Sequence, residues 1–184
     1  LWAMMEADLD ELDHLIDTSL TYARFEREAP EPHFSSVHFA DWLNDEVDAV
    51  RLLGRNLTIT VDTEKLPENL AIDLDRKAMP YALRNLLRNA FKYASKQIIV
   101  SAEIQQDRIV LHVDDDGIGI PPEDREHVFS AFTRLDRSRD RATGGYGLGL
   151  AITRRVLELH GGTATADAAP LGGARFTLSW KAQQ

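Results

Sequence analysis

The chain has 184 residues, 43% of them hydrophobic, and a formal net charge of −9 at pH 7. That suits one sizeable core with a small appended element, while the acidic balance disfavours a nucleic-acid partner, whose phosphates call for Lys and Arg. Zero cysteines exclude disulfides and thiolate metal sites, as suits a reducing cytosol, and no apolar run approaches the ~20 residues that span a bilayer.

In chain order, residues 1–28 are expected to form a helix. Met5, Leu9, Leu12 and Ile16 step at heptad spacing, and Ser19 and Ala23 continue the seam. One helix cannot bury such a seam, so it calls for the partners of a coiled coil or bundle; packing on its own domain is the plainer alternative. Ala29–Pro32 (APEP) then interrupts the pattern as a linker does. The division expected is a helical segment over 1–28, a linker over 29–35 and a mixed domain over 36–184. The start at Leu1, with no signal-like segment, reads as part of something longer.

Within the mixed domain, Ser36–Phe39 fits a short strand and Asp41–Leu53 a helix closing near Gly54. Leu57–Val61, alternating and β-branched, fits another strand. Asp75 is placed to cap a long helix through Ala94, with Pro80 kinking or delaying its start. Gln97–Ile104 and Arg108–Asp115 read as strands of a hairpin joined by Gln105–Asp107. Gly147–His160 reads as a helix stopped by Gly161, and Thr163–Ala166 and Ala174–Trp180 complete the sheet. Strands interleaved with helices, without a strict βαβ repeat, predict an α+β fold. Its form is a two-layer α/β sandwich, with helices over one face of a mixed sheet.

Three stretches carry chemistry. In "LRNLLRNAFKYA", Leu83, Leu86, Leu87, Ala90 and Ala94 make one apolar stripe, and Asn85, Asn89 and Lys92 make another. Asparagine costs some helix stability, but an amide oxygen is a hard neutral ligand for Mg²⁺ and lysine a point charge for phosphate. In "RIVLHVDDDGIGIPPE", period two puts Asp115 at the end of the core-facing row Ile109, Leu111 and Val113. A carboxylate there needs hydrogen-bond donors, and an adenine amino group is a suitable one. Gly117 and Gly119 let the next turn approach a flat ring. His112 points to the other face and reads as structural, while Asp114 and Asp116 read as solvated. In "TGGYGLGLAI", bare backbone precedes a helix with Leu148, Ile152, Val156 and Leu159 as its buried stripe. Unpaired amides and the helix dipole at such an N-terminus favour an anion, and a triphosphate is the natural guest. Just before it, Arg134, Arg137, Arg139 and Arg141 form a basic island in an acidic chain, fitting a small anion unless they are only traded surface charges.

In this order and spacing, these segments resemble the N, G1 and G2 boxes of the GHKL (Bergerat) ATP-binding fold, specifically of sensor histidine kinases. "HVFSAFTRLDRSRD" is similar to the family's F box and ATP lid, "HGGTATADAAPLGGARFTLSW" to its closing hairpin, and "LDELDHLIDTSLTYARFE" to the end of the dimerisation and phosphotransfer domain. The resemblance implies ATP (or ADP) and Mg²⁺ as ligands. Asn89 would hold the metal with Asn85 in support, Lys92 would contact phosphate, Tyr93 would lie along the adenine and Asp115 would accept its amino hydrogen. Gly117 and Gly119 would belong to the adenine turn. Gly145, Gly147, Leu148 and Gly149 would offer backbone amides to the phosphates, and Arg134 would reach the γ-phosphate. Arg134, Lys92 and Asn89 would be the catalytic set.

The resemblance also implies partners: the protein's own phosphotransfer domain, a response-regulator receiver domain and a second copy in the full-length protein. It implies a cytoplasmic location as part of a bacterial inner-membrane-anchored sensor, without nucleic-acid or membrane contact by this segment. The six histidines lack the family's "HELRTP"-like context, so the phosphoacceptor is expected elsewhere. The alternative is a GHKL ATPase clamp of the gyrase, MutL or Hsp90 kind, which usually carries Glu where Asn85 stands. A serine kinase acting on an anti-sigma-like partner and a degenerate ATP sensor are further alternatives.

Overall fold

The first helix, α1 (Trp2–Arg27), presents two faces. Thr18 and Phe25 are buried, and the Tyr81 hydroxyl donates to the Asp17 carboxylate at 3.3 Å, so one face lies against the mixed domain. Leu12, Ile16 and Leu20 on the other side are 51%, 51% and 54% exposed. The packing of α1 on its own domain is thus seen on one face, and the seam residues Leu12 and Ile16 lie on the other. The computed structural model describes residues 2–27, 31–54, 56–133 and 147–182.

The mixed domain runs β1 (Phe34–His38), α2 (Phe39–Val50), β2 (Thr58–Asp62), β3 (Ala71–Asp75), α3 (Ala78–Tyr93), β4 (Gln97–Gln105), β5 (Arg108–Asp115), α4 (Gly149–Leu159), β6 (Thr163–Ala168) and β7 (Ala174–Lys181). A five-stranded sheet has the order β2-β4-β5-β7-β6, parallel between β2 and β4 and antiparallel elsewhere; β1 and β3 pair separately. Period-two alternation sends Ile98, Val100, Ile109, Leu111, Val113, Phe176, Leu178 and Trp180 to one face. The apolar stripes of α2 (Phe39, Leu43, Val47), α3 (Leu83, Leu86, Leu87) and α4 (Ile152, Val156) cover it. This is the expected two-layer α+β sandwich on a mixed sheet.

Several expectations need correction. β1 begins two residues earlier than expected, and Phe39 opens α2 instead of ending a strand. β3 was not anticipated, because two of its five residues, Asp73 and Asp75, are types that strands disfavour. Pro80 causes no break, since it lies in the first turn of α3, where no intrahelical N–H bond is lost. The Asp75 carboxylate does serve that helix start, accepting the N–H groups of Lys77 at 2.8 Å and Ala78 at 3.0 Å. In α4, Leu157 is fully buried and Leu159 only half-buried, so the stripe shifts by two positions at its end. The stop works as expected: Gly161 has φ +63°, its N–H reaches the Glu158 carbonyl, and the Gly162 N–H reaches Leu157.

On the outer face of the sheet, His112 is structural as expected, its Nδ1 being 2.8 Å from the Thr177 hydroxyl. Asp114 is not solvated. It is buried, and its carboxylate accepts two bonds from the Arg175 guanidinium at 2.7 and 2.6 Å. The cause is register: Arg175 stands opposite Asp114 across the β5–β7 ladder, and cross-strand neighbours cannot be read before strands are paired. Asp116 is half-exposed but also engaged, accepting the N–H groups of Ser95 and Lys96 after α3. Those bonds, from Lys96 foremost, hold its carboxyl below the usual range.

Candidate functional site

Helix α3 organises the site because its two ends of the polar stripe meet different segments. In the middle, Asn85 is buried and its Nδ2 donates to the Gly149 carbonyl at 3.2 Å, tying α3 to the first residue of α4. Asn89 follows one turn later and is half-exposed. Lys92 lies with its ammonium 5.1 Å from the centroid of the Tyr93 ring, and both side chains are half-exposed at the end of the helix. There the Tyr93 carbonyl packs so tightly on Gly117 that any Cβ at 117 would collide with it. Glycine at 117 is therefore set by a close approach of backbones.

Asp115 ends β5 with only 1% of its surface exposed. Its Oδ1 accepts the Gly117 N–H at 2.8 Å and the Ala174 N–H at 3.2 Å. Burial pushes its carboxyl above the ordinary range, and the two N–H bonds pull the other way without cancelling that rise. Gly173 forms the wall behind it, where a Cβ would strike the carboxylate itself. The closing hairpin, to which the sequence reading assigned no site role, thus backs the Asp115 carboxylate. Gly119, at φ +70°, packs its α-carbon toward the Gly173 carbonyl.

Gly147 has φ +72°, and its carbonyl accepts the Phe132 N–H at 2.9 Å. A side chain there would also run into the Phe132–Thr133 backbone. Leu148 is buried and anchors the turn, and its carbonyl accepts the Ile152 N–H at 3.0 Å. α4 starts at Gly149, two residues later than expected, because the left-handed conformation of Gly147 cannot belong to the helix. Arg134, Gly145 and the basic island lie outside the described residues. Asn85 and Gly149 are in direct contact, as are Tyr93 and Gly117, so segments distant in sequence are brought together around α3.

Residues 74–184 match the family model described as histidine kinase-, DNA gyrase B-, and HSP90-like ATPase. The chain belongs to this family. The chain is 41% identical over 176 residues to the sensor protein RstB of Escherichia coli (strain K12), covering 96% of this chain and 40% of that protein. It is 33% identical to the sensor histidine kinase CpxA of the same strain, covering 95% and 38%. The chain thus spans about two fifths of the length of these relatives. Among solved structures, full-length ShkA in complex with AMPPNP superposes with a TM-score of 0.85 at 24% identity, over 99% of this chain and 38% of that one. The mycobacterial sensor histidine kinase MprB gives 0.69 at 25% identity, over 82% and 99%. These likenesses make the fold a nucleotide-binding ATPase fold of the histidine kinase type.

Proposed function

We propose that this chain is the ATP-binding catalytic part of a two-component sensor histidine kinase. It moves the γ-phosphoryl group of ATP to a histidine on a dimerisation and phosphotransfer domain, for relay to an aspartate of a response-regulator receiver domain. The observation that carries this reading is the convergence on α3 of an amide-bearing stripe, the buried Asp115 and a side-chain-poor helix N-terminus. The kinase names of its relatives and a neighbour solved with AMPPNP support it.

In this mechanism Asp115 accepts the adenine amino hydrogen, with Tyr93 along the ring and Gly117 and Gly119 keeping the turn close. The amides of Gly145, Gly147, Leu148 and Gly149 receive the phosphates, and Lys92 adds a positive charge. Arg134 offsets the charge that develops on the γ-phosphoryl group during transfer. The acceptor nitrogen forms a bond to the γ-phosphorus, and the electron pair of the broken P–O bond leaves with ADP. The donor chemistry fits Mg²⁺: an amide oxygen is a hard neutral ligand, and Asn89 is half-exposed on the polar stripe of α3. Asn89 would hold the ion. Asn85 has its nitrogen engaged with Gly149, so only its oxygen could assist. Bound there, the ion supplies neutralisation of phosphate charge.

Asn85 also favours transfer over the clamp-type hydrolysis alternative. Its amide donates to a carbonyl, which a carboxylate could not do, and it cannot take a proton from water. The exposed α1 seam suits a homodimer in the parent protein. No described helix is long and apolar enough to cross a membrane; in this reading the segment is the cytoplasmic part of a membrane-anchored bacterial sensor.

The test mixes the chain with γ-labelled ATP, Mg²⁺ and a histidine-bearing dimerisation domain of the same family. Acid-labile label should appear on that domain, and Asn89→Ala should abolish the label while ADP still binds. Labelling that survives in Asn89→Ala would remove this residue from the mechanism, and label lost only to free phosphate would favour hydrolysis.

A further inference from the structure

Thr153 has no part in the mechanism above, yet it is completely buried one turn into α4. Its hydroxyl lies 3.0 Å from the Gly149 carbonyl and 3.3 Å from the Ala82 carbonyl of α3. A threonine that bonds back to the carbonyl four residues earlier is common in helices. Here that habit is joined by two further features. Asn85, from another helix, donates to the same Gly149 carbonyl, and the hydroxyl itself sits between the two helices, within reach of either carbonyl. Having a single hydrogen, it donates to one carbonyl at a time.

The consequence follows from peptide planarity. The Gly149 carbonyl and the Leu150 N–H belong to one rigid trans unit and point in opposite directions. Pulling the carbonyl down the helix toward Asn85 and Thr153 aims the Leu150 N–H out of the helix N-terminus, where it has no intrahelical partner. Gly149 is the helix's least restrained backbone, and the Asn85 amide and Thr153 hydroxyl reinforce at its carbonyl the single helical bond from the Thr153 N–H. Resting on the nucleotide-site reading given above, we propose that Thr153 is a positioning residue for the phosphate end of ATP. Its hydroxyl, together with the Asn85 amide, fixes the Gly149–Leu150 peptide and so points an α4 amide at the phosphates. Its hydroxyl partners, the Gly149 and Ala82 carbonyls, belong to α4 and α3 and not to the Asp115 turn.

The test compares ATP and adenosine binding to the whole chain, by titration, for wild type, Thr153→Val and Thr153→Ser. Valine keeps the shape and removes the hydroxyl; serine keeps the hydroxyl. Thr153→Val should weaken ATP about fivefold, the worth of one hydrogen bond, and leave adenosine unchanged. Thr153→Ser should keep the wild-type ratio of the two affinities. A general loosening of the fold would weaken both ligands together. An unchanged ATP-to-adenosine ratio in Thr153→Val overturns the inference, and so does a serine variant that loses the ratio, which remains decisive if the valine variant does not fold. Wild type that takes up no ATP overturns the nucleotide reading itself, and the inference with it.

Discussion

At the residue scale, the decisive group is Asp115. A carboxylate this buried is tolerated because Gly117 and Ala174 each give it an N–H, and both bonds fall on Oδ1. In Asp115→Asn the amide oxygen must serve those two donors, which turns the NH₂ group toward the proposed adenine position, where an acceptor is required. ATP affinity should fall about tenfold or more by calorimetry, with the far-ultraviolet circular dichroism unchanged; wild-type affinity would move the adenine elsewhere. Asp115 itself was legible from its place in an alternating row. Thr153 and Gly173 were not, because their roles consist of contacts with Ala82, Gly149 and Asp115 across long stretches of chain.

Among the elements, the junction of β3, α3 and α4 turns on His160. The ring is buried; its Nδ1–H donates to the Val156 carbonyl at 2.8 Å and its Nε2 accepts the Asp75 N–H at 3.0 Å. Both nitrogens are used only by the neutral ring, whose edge also meets Phe34 of β1. The Asp75 carboxylate is the charged group facing it. Burial, first of all, pushes its pKa below the ordinary 6.5. On acidification the unfolded chain therefore takes up this proton before the folded one does. The contribution of His160 to stability is whole above 6.5 and is lost as pH falls through the folded value. Urea midpoints should drop from about pH 7 to about pH 5, and the drop should be smaller in His160→Asn, if that variant folds; equal slopes would clear His160 of the effect.

For the whole molecule, α1 decides how the parts relate. Phe25 is buried against the mixed domain, whereas Ile16 faces outward. Phe25→Ala should therefore cost about 3 kcal/mol of stability. Ile16→Glu should change it by no more than about 0.5 kcal/mol when melts are taken at concentrations too low for association. A strong effect of Ile16→Glu in dilute solution would mean that the seam is covered by the chain itself. Heptad spacing identifies an apolar stripe but not the surface that meets it, so the helix could not be sorted into these faces before the fold was known.

Readable before folding was whatever repeats along one element: the apolar stripe of α3 and most of that of α4, the alternating row that ends in Asp115, the glycines before α4. Those follow from local geometry, at 3.6 residues per helical turn and two per strand repeat. The pairings between elements came from the packed fold. It set Arg175 against Asp114, the Tyr93 carbonyl against Gly117, and Asn85 with Thr153 on the Gly149 carbonyl. Burial and register create those partnerships, and neither has a value until the strands and helices have been laid side by side.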